Sequence, residues 1–217
     1  MTKSRGKLPS KKAIRALLVK YACPIGYHQV RTRILGGLIC LYPMVNPIEV
    51  IAGLWGGTLP EFNIRKDLDE LLRVLVMGLW NQLTDLQDPQ TRFKAERMPI
   101  KPTLANLGNL STVRAQEIEG FIEGILNRED GVSLPEQAHQ AITQLVEIRS
   151  MLLAIVDLVE RTKGKQVEKP EIKQIMTHVE AMTVVMEAEV HTAVLACVQA
   201  RAQKVYTPPS HLSILLH

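Results

Sequence analysis

The sequence predicts an all-α protein, and three observations carry that expectation. Apolar residues recur at three-and-four spacing through most of the 217 positions, the interval that gathers side chains on one face of a helix. Aromatics make up only 4% of the chain, so Leu, Ile, Val, Met and Ala must fill the interior, and Leu, Met and Ala favour helices. Gly/Asn hairpin signals are few, and no segment reads as a strand. Internal repeats and low-complexity tracts are also missing.

Residues 1–9 read as a flexible basic arm. Ser10 is placed to cap a short helix from Lys11 to about Ala22, with Ile14, Leu17 and Leu18 on one side. A second helix is expected from Gln29 to Leu41, stopping before Pro43. The next start is marked three times, by Asn46 as N-cap, Pro47 at the first helical position and Glu49 three residues after the cap. That helix should end at Gly56-Gly57. Asn63 is then expected to cap a long helix to about Leu86, apolar at Leu68, Leu71, Leu72, Leu75, Val76, Leu79, Leu83 and Leu86. Residues 87–110, with Pro89, Pro99 and Pro102, read as irregular, and a helix from about Ser111 to Leu126 follows. Asn127 to Val132 is a polar turn cluster and the clearest boundary.

Beyond it, Ser133-Leu-Pro-Glu136 reads as a capping box that opens a helix to about Arg161. Thr162 to Lys169 turns the chain, and Pro170 opens a second helix of about 34 residues. The expected architecture is a multihelical body over 10–128, a long antiparallel helical hairpin over 132–204 and a tail over 205–217. Pro208-Pro209 in that tail cannot extend the helix.

Charge divides the chain unevenly. Residues 1–48 hold nine Lys/Arg and no acid, whereas the remainder holds 17 basic and 22 acidic residues. A basic head on a mildly acidic body is suited to an acidic partner. The three cysteines, Cys23, Cys40 and Cys197, include no Cys-x-x-Cys pair and form no disulfide framework, which fits a reducing compartment. The longest apolar run, Ile34 to Val45, is about twelve residues and contains Gly36, Gly37 and Pro43, short of the ~18 a spanning helix needs. No apolar core with a small-residue cleavage site follows the basic start. A cytoplasmic protein without a membrane partner is the expectation.

Four pieces in order give the chain a family likeness. They are Ile34-Leu-Gly-Gly-Leu-Ile-Cys-Leu, Ile51-Ala-Gly-Leu-Trp-Gly-Gly, Pro60-Glu-Phe with the helix that contains Leu79-Trp-Asn-Gln, and Glu119-Gly-Phe-Ile-Glu-Gly. With these, residues 34–126 resemble the YecA/YgfB-like family of bacterial proteins. The resemblance implies a multihelical fold and no established general activity, so no catalytic residue is carried over. Some members end in a Cys/His zinc-binding motif; here the C-terminal third has only Cys197, and the metal function is not implied.

Candidate sites compete with plainer explanations. Glu180, Glu187 and His191 share one helical face and form a weak candidate metal set, since carboxylate bundles bind metals in this way. Their face lies on the flank of the apolar stripe (Ile172, Met176, Val179, Met186, Val190, Cys197), and a solvated flank explains them as well. Cys23 lies among basic residues, which lower a thiol pKa, while Cys40 and Cys197 sit in apolar stretches as inert thiols. Gly36-Gly37 and Gly56-Gly57 match no phosphate-loop pattern. Trp55, Phe62 and Trp80 can line a small pocket or anchor the core. No cofactor and no catalytic residue is expected.

Two binding features remain. Lys3, Arg5, Lys7, Lys11, Lys12, Arg15 and Lys20 can neutralise phosphates, with Tyr21, Tyr27 and His28 available for stacking; no base-reading motif accompanies them. The stretch Met151-Leu-Leu-Ala-Ile-Val156 is apolar nearly all round, so its helix must be covered on several sides. Either residues 10–128 cover it or another chain does. The sequence therefore points to a non-enzymatic interaction or regulatory protein, a homodimer or the binder of a protein partner through Leu145, Leu152 and Val156. Nucleic-acid binding through the arm is the alternative, and a metal-dependent helical-bundle enzyme is a second one.

Overall fold

The structure is a computed structural model and describes residues 8–39, 46–98, 101–126, 134–162 and 169–206. It is all-α, with no strand among the described residues. Helix α1 spans Lys11–Lys20, and Ser10 caps it by accepting from the Ala13 N–H at 3.2 Å. Helix α2 spans Tyr27–Leu38. Helix α3, Pro47–Ala52, starts as its sequence dictates: Asn46 accepts from the Ile48 N–H at 3.0 Å and donates to Glu49 at 3.1 Å. A 3₁₀ turn over Gly53–Trp55 extends it, and Gly56 and Gly57 then adopt φ of 81° and 105°. Those left-handed values suit glycine alone.

The expected long helix from Asn63 to Leu86 is helical without a gap from Arg65 to Gln87, but it changes type along its length. Helix α4 covers Arg65–Val74, a π-helical segment Leu75–Trp80, helix α5 Asn81–Thr84, and a 3₁₀ turn Asp85–Gln87. Ile64, not Asn63, holds the N-cap position, with no side-chain cap. At the π segment a Cβ on Gly78 would lie 2.2 Å from Pro9 Cγ, so the missing side chain is what admits the root of the N-terminal arm. Gln82 donates to the Pro9 carbonyl at 3.4 Å. Lys20, at the other end of α1, reaches Asp67 and Glu70, and α1 therefore runs antiparallel to α4.

Helix α6 spans Leu104–Leu126, longer at its start than expected, because Thr103 accepts from the Asn106 N–H at 3.2 Å just after Pro102. Helix α7 spans Glu136–Thr162 and α8 spans Lys169–Tyr206. The expected boundary at 127–132, Ser133 of the capping box and residues 207–217 of the tail lie outside the described residues, while α8 runs two residues into the tail expected from 205.

Helices α2 and α6 make the most intimate contact. A Cβ on Gly36 would sit 2.3 Å from the Phe121 carbonyl oxygen, and one on Gly124 2.2 Å from that of Arg33. Backbone thus lies on backbone, and only hydrogens fit between. Helices α7 and α8 pack on α6 and on each other. One apolar cluster runs from Ile14 in α1 to Cys197 in α8, with Phe93 and Phe121 among its largest fully buried side chains.

Sequence reading missed one property of α8. Pro170–Gln203 is long and apolar enough, by length and composition, to cross a membrane. Glu187 and Glu189, the two charged residues between Ala181 and Ala200, interrupt its apolar run. About a third of its most apolar window is buried, and Val179, Met186, Val190 and Val194 lie in the same cluster as α6 and α7 residues.

Candidate interaction surfaces

Three regions can interact with something else: an extended segment held by buried charges, the surface around it, and a groove between α7 and α8.

Residues 92–98 have no regular structure, yet polar contacts from four helices, α1, α2, α6 and α8, hold them. Phe93 and Ala95 point into the core. The Ala95 N–H donates to Glu187 of α8 at 2.9 Å, and Lys94 Nζ pairs with the same carboxylate at 2.8 Å. The Glu96 N–H donates to Glu117 of α6 at 2.8 Å, while its carbonyl accepts from Arg114 at 2.7 Å. Arg31 of α2 donates to the Lys94 carbonyl and lies over the Phe93 ring, 4.9 Å from its centre. Lys11 and Arg15 of α1 reach the Glu96 carboxylate. An extended backbone buried without sheet partners needs such donors and acceptors, and α6 supplies the innermost pair. Arg114 and Glu117 meet at 2.6 Å and are almost completely buried. Burial pushes the Glu117 carboxyl above its ordinary range, opposed by Arg114 and Arg31.

This arrangement corrects the metal set. Glu187 is engaged with Lys94 and Ala95 and does not join Glu180 and His191 in a metal site. Among the described residues no three His, Cys, Asp or Glu side chains come together to hold an ion. Cys23 is corrected too. It is half-buried, and desolvation outweighs the Ile25 hydrogen bond and Arg33, so its thiol is pushed up rather than down. Cys197 is buried, and Cys40 lies outside the described residues.

Basic residues of the head are largely committed within the chain. Lys20 pairs with Asp67 at 3.0 Å and Glu70 at 2.8 Å, contacts that raise its pKa. Lys11 and Arg15 share Glu96 and lie 5.7 and 5.6 Å from the Tyr27 ring centre. Lys12 has no acidic partner among the described residues. Lys3, Arg5 and Lys7 lie outside them. His28 is bonded to Gln116 at 2.7 Å, and Tyr21 meets Phe62 edge-on at 5.4 Å while its carbonyl accepts from the Trp55 indole. Trp55, Phe62 and Trp80 pack against the core and act as anchors.

The α7–α8 groove has a volume of about 720 Å³ and is lined mainly by Ile148, Met151, Ile155, Met182 and Val185, with Glu147 and His178 at its edges. Leu145 and Leu152, expected to meet a partner, are buried inside the chain, and Val156 is half-buried. Periodicity identified an apolar helix correctly, but two of its faces are apolar, and these leucines belong to the inner one. Met151, Leu158 and Val185 remain exposed.

Compared with models of protein families, with curated proteins and with solved structures, the chain matches none.

Proposed function

We propose that the chain is a non-enzymatic interaction or regulatory protein whose α7 and α8 form a long antiparallel hairpin, and that the outer face of this hairpin takes a second copy of the chain. The exposed apolar groove is the observation that carries this reading. Apolar lining covers about 10 Å of each helix, from Ile148 to Ile155 and from His178 to Val185. A two-fold partner offers a surface of the same length and chemistry. Packing two such hairpins makes a four-helix arrangement that covers Met151, Met182 and Val185. A relation to the YecA/YgfB-like family belongs to the same proposal. It is supported by the α2–α6 contact, where Gly36, Gly120 and Gly124 stand in two of the pieces that carry the resemblance.

Light scattering on the size-separated protein tests this reading. The expected mass is twice 24.3 kDa, and Val185→Glu, which places a charge in the contact, should weaken the dimer by about tenfold or more. A monomeric wild type at micromolar concentration overturns it. The second reading, nucleic-acid binding through the basic arm, is supported by Lys3, Arg5 and Lys7 in a head whose first 48 residues carry no acid. Loss of DNA retention on deleting residues 1–7 tests it.

A further inference from the structure

The charges around the extended segment 92–98 are sorted by depth. Its carboxylates are inside: the Glu117, Glu96 and Glu187 side chains are 1%, 8% and 17% exposed. Glu117 is neutralised from within by Arg114 and Arg31, 7% and 18% exposed, but the cations on Glu96 and Glu187 face out, with Lys11 43%, Arg15 53% and Lys94 72% exposed. Arg92 and Arg97 are exposed on the same segment, within about 17 Å of extended chain. Neither has an acidic partner among the described residues, and the same holds for Lys12, next to Lys11 on α1. Lys11, Arg15, Arg31 and Lys94 thus reach the three recessed carboxylates, and Lys12, Arg92 and Arg97 adjoin these cations in the chain without acids of their own among the described residues. Glu180 is the nearest further acid on the same face of α8 and is half-buried.

We propose that α1 and residues 92–97 together form a binding surface for the phosphate backbone of a nucleic acid. The surface is built by folding, because it joins Lys11, Lys12 and Arg15 to Arg92, Lys94 and Arg97 across some eighty positions of sequence. It shares its partner class with the second reading above but does not rest on the arm. Recessed carboxylates hold Lys11, Arg15 and Lys94 in place without projecting negative charge to the surface, and Lys12, Arg92 and Arg97, with no acidic partner among the described residues, are available to a polyanion. Partial burial, followed by repulsion from Arg15 and Arg31, lowers the pKa of Lys11; a phosphate placed here relieves that repulsion. No side chain in this set reads a base edge from a recognition helix, so the contact is independent of sequence.

Fluorescence anisotropy with a labelled DNA duplex of about 30 base pairs, and with an RNA hairpin of similar charge, tests the surface between about 50 and 300 mM salt. The wild type is expected to bind at least one of the two probes at the lowest salt, and the stronger one identifies the source of the phosphates. Lys12→Ala/Arg92→Ala/Arg97→Ala removes three cations that have no internal acidic partner, so the fold should survive, as circular dichroism checks. It should weaken binding at least tenfold and flatten the slope of log K against log salt by about 2–3, near 0.9 per lost contact. The charge-keeping variant Lys12→Arg/Arg92→Lys/Arg97→Lys should bind as the wild type does. An unchanged slope in the alanine variant overturns the proposal. So does a wild type that ignores both nucleic acids while binding anionic phospholipid vesicles. If deleting residues 1–7 abolishes binding and the alanine variant retains it, the arm reading stands and this surface falls.

Discussion

Gly124→Ala should lower the stability of the chain by about 3 kcal/mol, at the upper end of the cost of overpacking. Two effects oppose each other at this position. Alanine in the last turn of α6 gains at most about 1 kcal/mol over glycine from propensity and reduced unfolded-state freedom. Against that, the new methyl would meet the Arg33 carbonyl oxygen at 2.2 Å and the Gly37 nitrogen at 2.9 Å. Both are backbone atoms of α2, which cannot rotate away as a side chain can, so α2 and α6 must separate along their most intimate contact. Gly36→Ala should behave alike, because its methyl meets the Phe121 carbonyl oxygen at 2.3 Å. Gly108 is the control within α6. Its nearest neighbour is Val159 Cγ1 at 3.1 Å, a side-chain atom that can give a few tenths of an ångström, and Gly108→Ala should fall within about 1 kcal/mol of wild type. Thermal unfolding reads all three, at about 2–4 °C per kcal/mol for a chain of this size. A melting temperature for Gly124→Ala equal to or above that of wild type would refute the close α2–α6 contact.

Those glycines also show what the sequence made legible. Local signals were read well where the chemistry is local: Ser10 and Asn46 cap the helices they were expected to cap, and Gly56-Gly57 ends the third helix in left-handed conformations. Errors arose where a distant residue decides. The helix after Asn63 has a fine apolar pattern, but its middle is π-helical where Pro9 packs onto Gly78, seventy positions away in sequence. Pro99 and Pro102 suggested a loop as far as residue 110, whereas Pro102 only precedes Thr103, which caps α6. Leu145 and Leu152 fit a helical face correctly, but nothing in their spacing says which of two apolar faces meets the core. The buried network was out of reach altogether. Arg114 and Glu117, three apart on a helix, have the sequence appearance of a solvated pair, and only the extended segment laid over them takes them out of water. The alternation of exposed Arg92 and Lys94 with buried Phe93 and Ala95 was the one available sign of that segment.

Glu117→Ala should be about as damaging as any single substitution in the chain, at roughly 3–5 kcal/mol, because it leaves the buried Arg114 guanidinium without its counter-charge. It also removes the acceptor of the Glu96 N–H. The double variant Arg114→Met/Glu117→Leu should be less destabilised than Glu117→Ala alone. It still leaves the Glu96 backbone groups unpaired, worth about 2 kcal/mol, but neither Arg114 nor Glu117 is left as a lone buried charge. If the double variant is worse than the single one, the ion pair is a net stabiliser and its desolvation is outweighed. The pH dependence follows from the raised carboxyl. The folded chain holds the Glu117 proton to higher pH than the unfolded chain does, so this group's contribution is complete below the unfolded value of about 4.5 and is lost as pH rises through the folded value. Glu117→Gln keeps the shape and an acceptor oxygen but cannot titrate. The stability of wild type relative to Glu117→Gln should therefore be greatest at the acid end of a series from about pH 4 to 7 and decline towards neutrality. A difference that grows with pH would mean that Arg114 and Arg31, rather than burial, govern this carboxyl, and that the network holding residues 92–98 is strongest when fully ionised.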